Sequence, residues 1–108
     1  MIIGGEFVDI EGKDFGGEIF DGSTFKNIKF CNFSNCKFKN CSFYGEFHGN
    51  NFTQEIPIEQ DAVVIFENCT IDSNSSWKVN NFTNCVEIAL PNSQGNRFER
   101  EDFPIIEE

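Results

Sequence analysis

One histidine, five cysteines and eighteen carboxylates are the groups in this chain that could carry chemistry. His48 stands directly behind Phe47, with no serine or aspartate spaced to make it a general base, so it reads as an outward or corner residue. Cys31, Cys36 and Cys41 recur at intervals of five, and Cys69 and Cys85 each close a Phe-x-Asn-Cys stretch. Metal binding needs convergent ligands at spacings such as Cys-x-x-Cys, and none of the cysteines is placed that way. A free cysteine otherwise behaves as a small hydrophobe. The five therefore read as reduced core filler, with no metal and no cofactor expected. The glycines form no phosphate cradle, and no paired-carboxylate motif stands out. By its residues the chain is not an enzyme.

The spacing that sets the cysteines also sets the phenylalanines. Phe33, Phe38 and Phe43 lie five residues apart, and the step continues back through Phe25, Phe20 and Phe15 to Ile10. Phe30-Cys31-Asn32 reads as a shortened unit of three, and Phe43 opens one of four before Phe47 and Phe52. Two places after each large apolar residue stands Gly or Asn: Gly12, Gly17, Gly22, Asn27, Asn32, Asn35, Asn40, Gly45 and Gly49. A period of five fits neither a helix nor a strand. It describes a chain that turns a corner every five residues on the residue types that tolerate left-handed backbone. Each side then buries its Phe, and also the residue two before it, at Ser23, Ile28, Cys31, Cys36 and Cys41. Four such sides, or about twenty residues, close one coil, and coils stack by parallel pairing at roughly 4.8 Å.

These residues resemble the pentapeptide-repeat family. Cys36-Lys37-Phe38-Lys39-Asn40 and Cys41-Ser42-Phe43-Tyr44-Gly45 carry its pattern, and Ser23-Thr24-Phe25-Lys26-Asn27 does so more loosely. The resemblance covers Ile10 to Phe52 and returns in fragments beyond. Cysteine replaces the usual alanine, and lysine or serine precedes the Phe. The resemblance implies an all-β chain: a right-handed, four-sided parallel β-helix, irregular in its second half.

The 108 residues are expected to form one domain. Within it, 10–52 reads as regular coils, 53–62 as a loop around Pro57, 63–90 as irregular coils, and 91–108 as a loop and C-terminal cap. Residues Asp72–Ser76 read as a polar loop, and Val86, Ile88 and Leu90 alternate as a strand. Phe103-Pro104-Ile105-Ile106 could cover the second end. No apolar run approaches the ~20 residues of a membrane span, and Met1-Ile2-Ile3-Gly4-Gly5 is no signal peptide, so the chain reads as cytoplasmic.

What remains for function is surface charge. The net charge is −10, made of −5 over residues 1–25, +4 over 26–45 and −9 over 46–108. The acids to bet on are Glu6, Asp9, Glu11, Asp14, Glu18 and Asp21 near one end, Glu55, Glu59 and Asp61 in the loop, and Glu99, Glu101 and Asp102 near the other. Lys26, Lys29, Lys37 and Lys39 form a basic band between them. About five coils at roughly 4.8 Å make a rod of ~24 Å, so ten charges give one per ~2.4 Å, near the ~1.7 Å of duplex DNA. The family resemblance points the same way, because its gyrase-binding, quinolone-resistance members are understood as duplex mimics. Small acidic phage proteins, anti-CRISPR proteins among them, use similar mimicry. The expected partner is a DNA-binding enzyme or nucleoprotein complex, with no direct nucleic-acid binding and no membrane. The alternative is an interaction module whose partner has no nucleic-acid role. The sequence leaves open whether two copies pair as a homodimer.

Overall fold

In the computed structural model, which describes residues 1–56 and 61–100, the chain forms an all-β solenoid. The strands are β1 (Ile2–Ile3), β2 (Glu6–Glu11), β3 (Ile19–Asp21), β4 (Thr24–Lys29), β5 (Lys37–Lys39), β6 (Ser42–His48), β7 (Phe66–Glu67), β8 (Thr70–Ile71), β9 (Ser76–Lys78) and β10 (Ser93–Gln94). All pair in parallel, in two sheets ordered β1-β3-β5-β7 and β10-β9-β6-β4-β2, with β8 also on β6. Register carries like onto like: Phe7↔Phe25↔Phe43↔Ile71, Ile10↔Ile28↔Phe47↔Trp77 and Ile2↔Phe20↔Phe38↔Phe66. A fourth column, Phe15–Phe33–Phe52–Phe82–Phe98, stacks at ring separations of 5.1, 5.1, 4.7 and 4.6 Å and interplanar angles below ten degrees. Four columns make four sides, and five rings in the longest mark five levels.

Between columns the rings meet edge to face, as Phe20–Phe25 (5.1 Å, 82°) and Phe25–Phe33 (6.0 Å, 85°) do. That geometry suits aromatic quadrupoles. Of the expected small inward residues, Ser23, Cys31, Cys36 and Cys41 are buried beside the rings. The five cysteines are free, and Cys36 and Cys85 donate to the carbonyls of Phe15 and Phe52 one coil away.

The register of the shortened units differs from the sequence reading. The three-residue side runs from Phe25 to Ile28, not from Phe30 to Phe33. Ile28 is the core residue, fully buried beneath Phe47, whereas Phe30 is 55% exposed. Phe30 occupies the corner two places after Ile28, with φ of 52°, and Asn32 is not in the left-handed region. The other eight Gly and Asn corners do adopt positive φ. With sides of three, five, five and five, a coil takes eighteen residues rather than twenty, as the pairing Phe7↔Phe25 shows. The four-residue unit is real: β6 bulges opposite Lys26–Ile28. Gly45 makes the bulge, with φ of 75° and a position where a Cβ would lie 2.2 Å from the Asn27 side-chain oxygen.

Beyond Phe52 the coils lengthen at their corners. The expected loop begins later than Thr53, because Gln54 still bonds Thr83 across coils and Ile56 is buried. Residues 57–60 lie outside the described set, as does the 101–108 part of the loop and cap expected over 91–108. Residues 86–90 form no strand: Cys85 bridges Val63, Val86 bonds the Val63 carbonyl, and the ladder stops there. Trp77 takes a Phe place, stacked on Phe47 at 4.2 Å with its indole N–H donated to Ser75. Inside, Asn50, Asn80 and Asn96 continue the Cys31 column as an amide ladder. Asn50 and Asn80 accept from the backbone N–H of Cys31 and Asn50, and Asn96 accepts from Asn80, all at 2.9 Å.

Two measurements check this core. Phe33→Ala should cost about 3–5 kcal/mol in chemical denaturation, while Phe30→Gly should change stability by no more than about 1 kcal/mol, since relief of left-handed strain offsets lost ring contacts. Burial pushes the Cys36 and Cys85 thiols from about 9 up to about 11 and about 12. The folded chain therefore holds those protons more tightly than the unfolded one. The stabilisation is complete below pH about 9 and should drain away between about 9 and about 12 in a melting series, an effect reduced by Cys→Ala at both positions.

Candidate protein-binding surface

With the rings inside, each coil presents its polar residues outward, and their positions follow from the corners and the register. The first coil is acidic all round. Glu6 and Glu11 project from β2, Asp9, Asp14 and Asp21 stand at or beside corners, and Glu18 lies 3.6 Å from the chain's amino terminus. Six of the predicted site residues are thus brought onto a single turn.

The three aspartates are held in place from the coil beneath. Asn27 donates to Asp9 at 3.0 Å, Asn32 to Asp14 at 2.8 Å and Asn40 to Asp21 at 3.1 Å. Asp14 also accepts from the Gly16 N–H at 2.9 Å. That backbone bond first, and the Asn32 amide second, draw the Asp14 carboxyl below its ordinary value. The amides fix carboxylates that would otherwise rotate freely, so the first coil displays charge at set points. Sequence reasoning missed these asparagines as partners. The signal was present in Asp9/Asn27 and Asp14/Asn32, each eighteen apart, but a coil of twenty residues hid it.

The remaining predicted residues are not gathered there. Glu55 lies two coils further on, where its N–H bonds Asn35, and Asp61 is exposed beside the undescribed segment. Glu99 accepts from Arg97 at 2.6 Å, which lowers its carboxyl pKa. Glu59, Glu101 and Asp102 lie outside the described residues.

The basic band is the second coil, set directly under the acidic one. Lys26 pairs in register with Val8, Lys29 with Glu11, Lys37 with Ile19 and Lys39 with Asp21. Lys29 and Lys39 reach the other way for their ion pairs, to Glu46 at 3.7 Å and Glu67 at 4.0 Å. Such exposed pairs contribute little to stability, but they turn these two lysines away from the acidic coil.

An open groove of about 370 Å³ runs along the outer face of β2, β4, β6 and β9. Glu11, Lys29, Phe30, Glu46, His48 and Lys78 line it, and the Phe30 ring meets His48 edge-on at 5.3 Å. This is where a histidine and carboxylates come together. Glu46, however, is two-thirds exposed and paired with Lys29, and Glu11 is exposed as well, so burial does not perturb either carboxylate as it would in a desolvated site. Among the described residues, no group of three or more His, Cys, Asp or Glu could hold a metal, and no helix could cross a membrane.

No family model matches this chain, and no curated protein does. Among solved structures it is similar to a trypsin-treated form of QnrB1, a plasmid-mediated fluoroquinolone resistance protein. The identity is 12%, over 89% of this chain and 91% of that one, with a TM-score of 0.21. A likeness that slight carries no argument, so the fold stands on the ladders and columns themselves, and the pentapeptide-repeat resemblance on the residues that show it.

Replacing Asn32 by Ala should raise the Asp14 pKa part of the way toward that of an ordinary aspartate, since the Gly16 bond remains. Carboxyl-carbon NMR titration reads the shift.

Proposed function

We propose that this chain is a non-enzymatic binding protein whose acidic first coil occupies a site on a DNA-binding enzyme or nucleoprotein complex that otherwise receives nucleic-acid phosphates. The supporting observation is the amide-held set Asp9, Asp14 and Asp21. Phosphates on a duplex are fixed relative to one another, and a competitor with pre-positioned charges avoids the ordering cost of flexible acids.

The mimicry is local and does not extend along the rod. The net charge of −10 is not spread evenly, since residues 26–45 carry +4. The first twenty-five residues alone carry −5, and the lysine coil follows at once. A few phosphates are copied, not a length of DNA. The same lysine coil favours a second reading, an interaction module whose partner has no nucleic-acid role. Gyrase-type and anti-CRISPR-type targets both satisfy the first.

Affinity capture of a partner followed by competition with duplex DNA tests the reading. The partner should bind DNA, DNA should displace this chain, and Asp9→Asn with Asp14→Asn and Asp21→Asn should weaken capture at least about tenfold, or ~1.4 kcal/mol. A partner that neither binds DNA nor feels the triple substitution would overturn it.

A further inference from the structure

At the N-terminal end of the solenoid, β1 and β2 present a sheet edge that no described residue pairs, with an apolar centre and an acidic rim. β1 and β2 are the last strands of their sheets at this end, each pairing on one side only among the described residues. Ile2, Phe7 and Ile10 are only partly buried, whereas their column mates Phe20, Phe25 and Ile28 are at most 1% exposed. No described residue covers these three as the next coil covers the others. Thr24 donates to the Gly5 carbonyl, so the odd residues of β2 before the Asp9 corner turn their backbone groups toward β4. By alternation, the N–H groups of Glu6 and Val8 point to the free edge. Around the edge stand Glu6, Asp9, Glu11, Asp14 and Glu18, with Lys13 as the one base among them, while Asp21 lies one strand in, in register with Ile3.

An edge of this kind takes a strand, and its side chains specify which. A residue placed over Phe7 or Ile10 must be apolar to complete the column. A residue placed on the outside, beside Glu6 or Glu11, is favoured if basic. β4 shows the pattern on the opposite side of β2: Phe25 and Ile28 pack inward, while Lys29 stands in register with Glu11 and Lys26 with Val8. We propose that the free edge of β1–β2 binds an extended segment of a partner protein in which apolar and basic residues alternate, adding it to the sheet as a further strand. A second copy of this chain is a poor occupant, because two first coils of −5 each would meet face to face. The proposal rests on reading the chain as a protein-binding module, but not on any nucleic-acid role for the partner.

The probe is a synthetic peptide of the β4 sequence, Thr-Phe-Lys-Asn-Ile-Lys, against a control with glutamate for both lysines. Binding to the full chain is followed by calorimetry and by amide hydrogen exchange. The lysine peptide should slow exchange at Glu6 and Val8, and the control should bind at least tenfold more weakly. Val8→Pro removes an edge donor that the β2–β4 ladder does not use, so it should abolish binding while circular dichroism stays unchanged. If that variant unfolds, Glu6→Gln with Glu11→Gln serves instead, with an expected tenfold loss. Binding without protection at Glu6 and Val8, equal binding of the control, or protection of these amides by self-association in the absence of peptide each overturns the proposal. Loss of DNA competition alone leaves it standing, and failure of the peptide alone leaves the DNA-competition reading standing.

Discussion

The structure depends on one coincidence of lengths. Strands in a sheet lie 4.7–4.9 Å apart, and aromatic rings stack comfortably at about the same distance. Parallel pairing in register therefore puts Phe15, Phe33, Phe52, Phe82 and Phe98 in face-to-face contact with no adjustment of either the ladder or the rings. Slip the register by one residue and every ring turns outward. The core and the hydrogen-bond ladder thus enforce each other, which lets a chain of this size hold a single conformation without a helix or a disulfide among the described residues.

How legible this was depended on which signal was carried by residue type and which by length. Side chains that must be Phe and corners that must be Gly or Asn announce themselves, and eight of the nine expected corners have the expected φ. Phe30 misled because an aromatic residue in a Phe-periodic chain looks like core, and only the pairing Ile28↔Phe47 reveals it as a corner. That one displacement also lengthened the inferred coil from eighteen to twenty and concealed the aspartate–asparagine pairs. Asn50, Asn80 and Asn96 were illegible for another reason. A polar residue reads as outward until the column of backbone N–H groups it serves is known. The thirty-residue step from Phe52 to Phe82 shows the limit of periodicity, since insertions at a corner break the count without breaking the stack.

The candidate surface was legible as composition but not as arrangement. Six acids within the first twenty-five residues are plain in the sequence. That they share one turn of the coil, above a turn of lysines, follows only from coil length. The order matters physically. Had all four lysines fallen on the first coil, it would carry only −1. Placed one coil in, Lys29 and Lys39 pair with Glu46 and Glu67 on the far side and leave the outermost carboxylates to solvent or to a partner. Bulk net charge is a poor guide for the same reason, because it averages −5 over residues 1–25 with +4 over 26–45.

The strained corner at Phe30 shows how far neighbours over-determine one another in this fold. Successive coils carry Gly12, Phe30, Gly49, Val79 and Gly95 at this corner, joined by bonds from each N–H to the carbonyl of the next coil. Large and small alternate. A Cβ at Gly49 would sit 2.6 Å from the Phe30 ring, and one at Gly95 would sit 3.7 Å from Val79. The aromatic ring lies over space that glycine vacates, and the left-handed φ of 52° is forced by the same ladder that fixes every other corner. Strain of this size persists only where the surroundings dictate it, and here four columns of rings do. A side chain that a period-of-five core would have buried is thereby put on the outside, at the mouth of the groove that His48 shares.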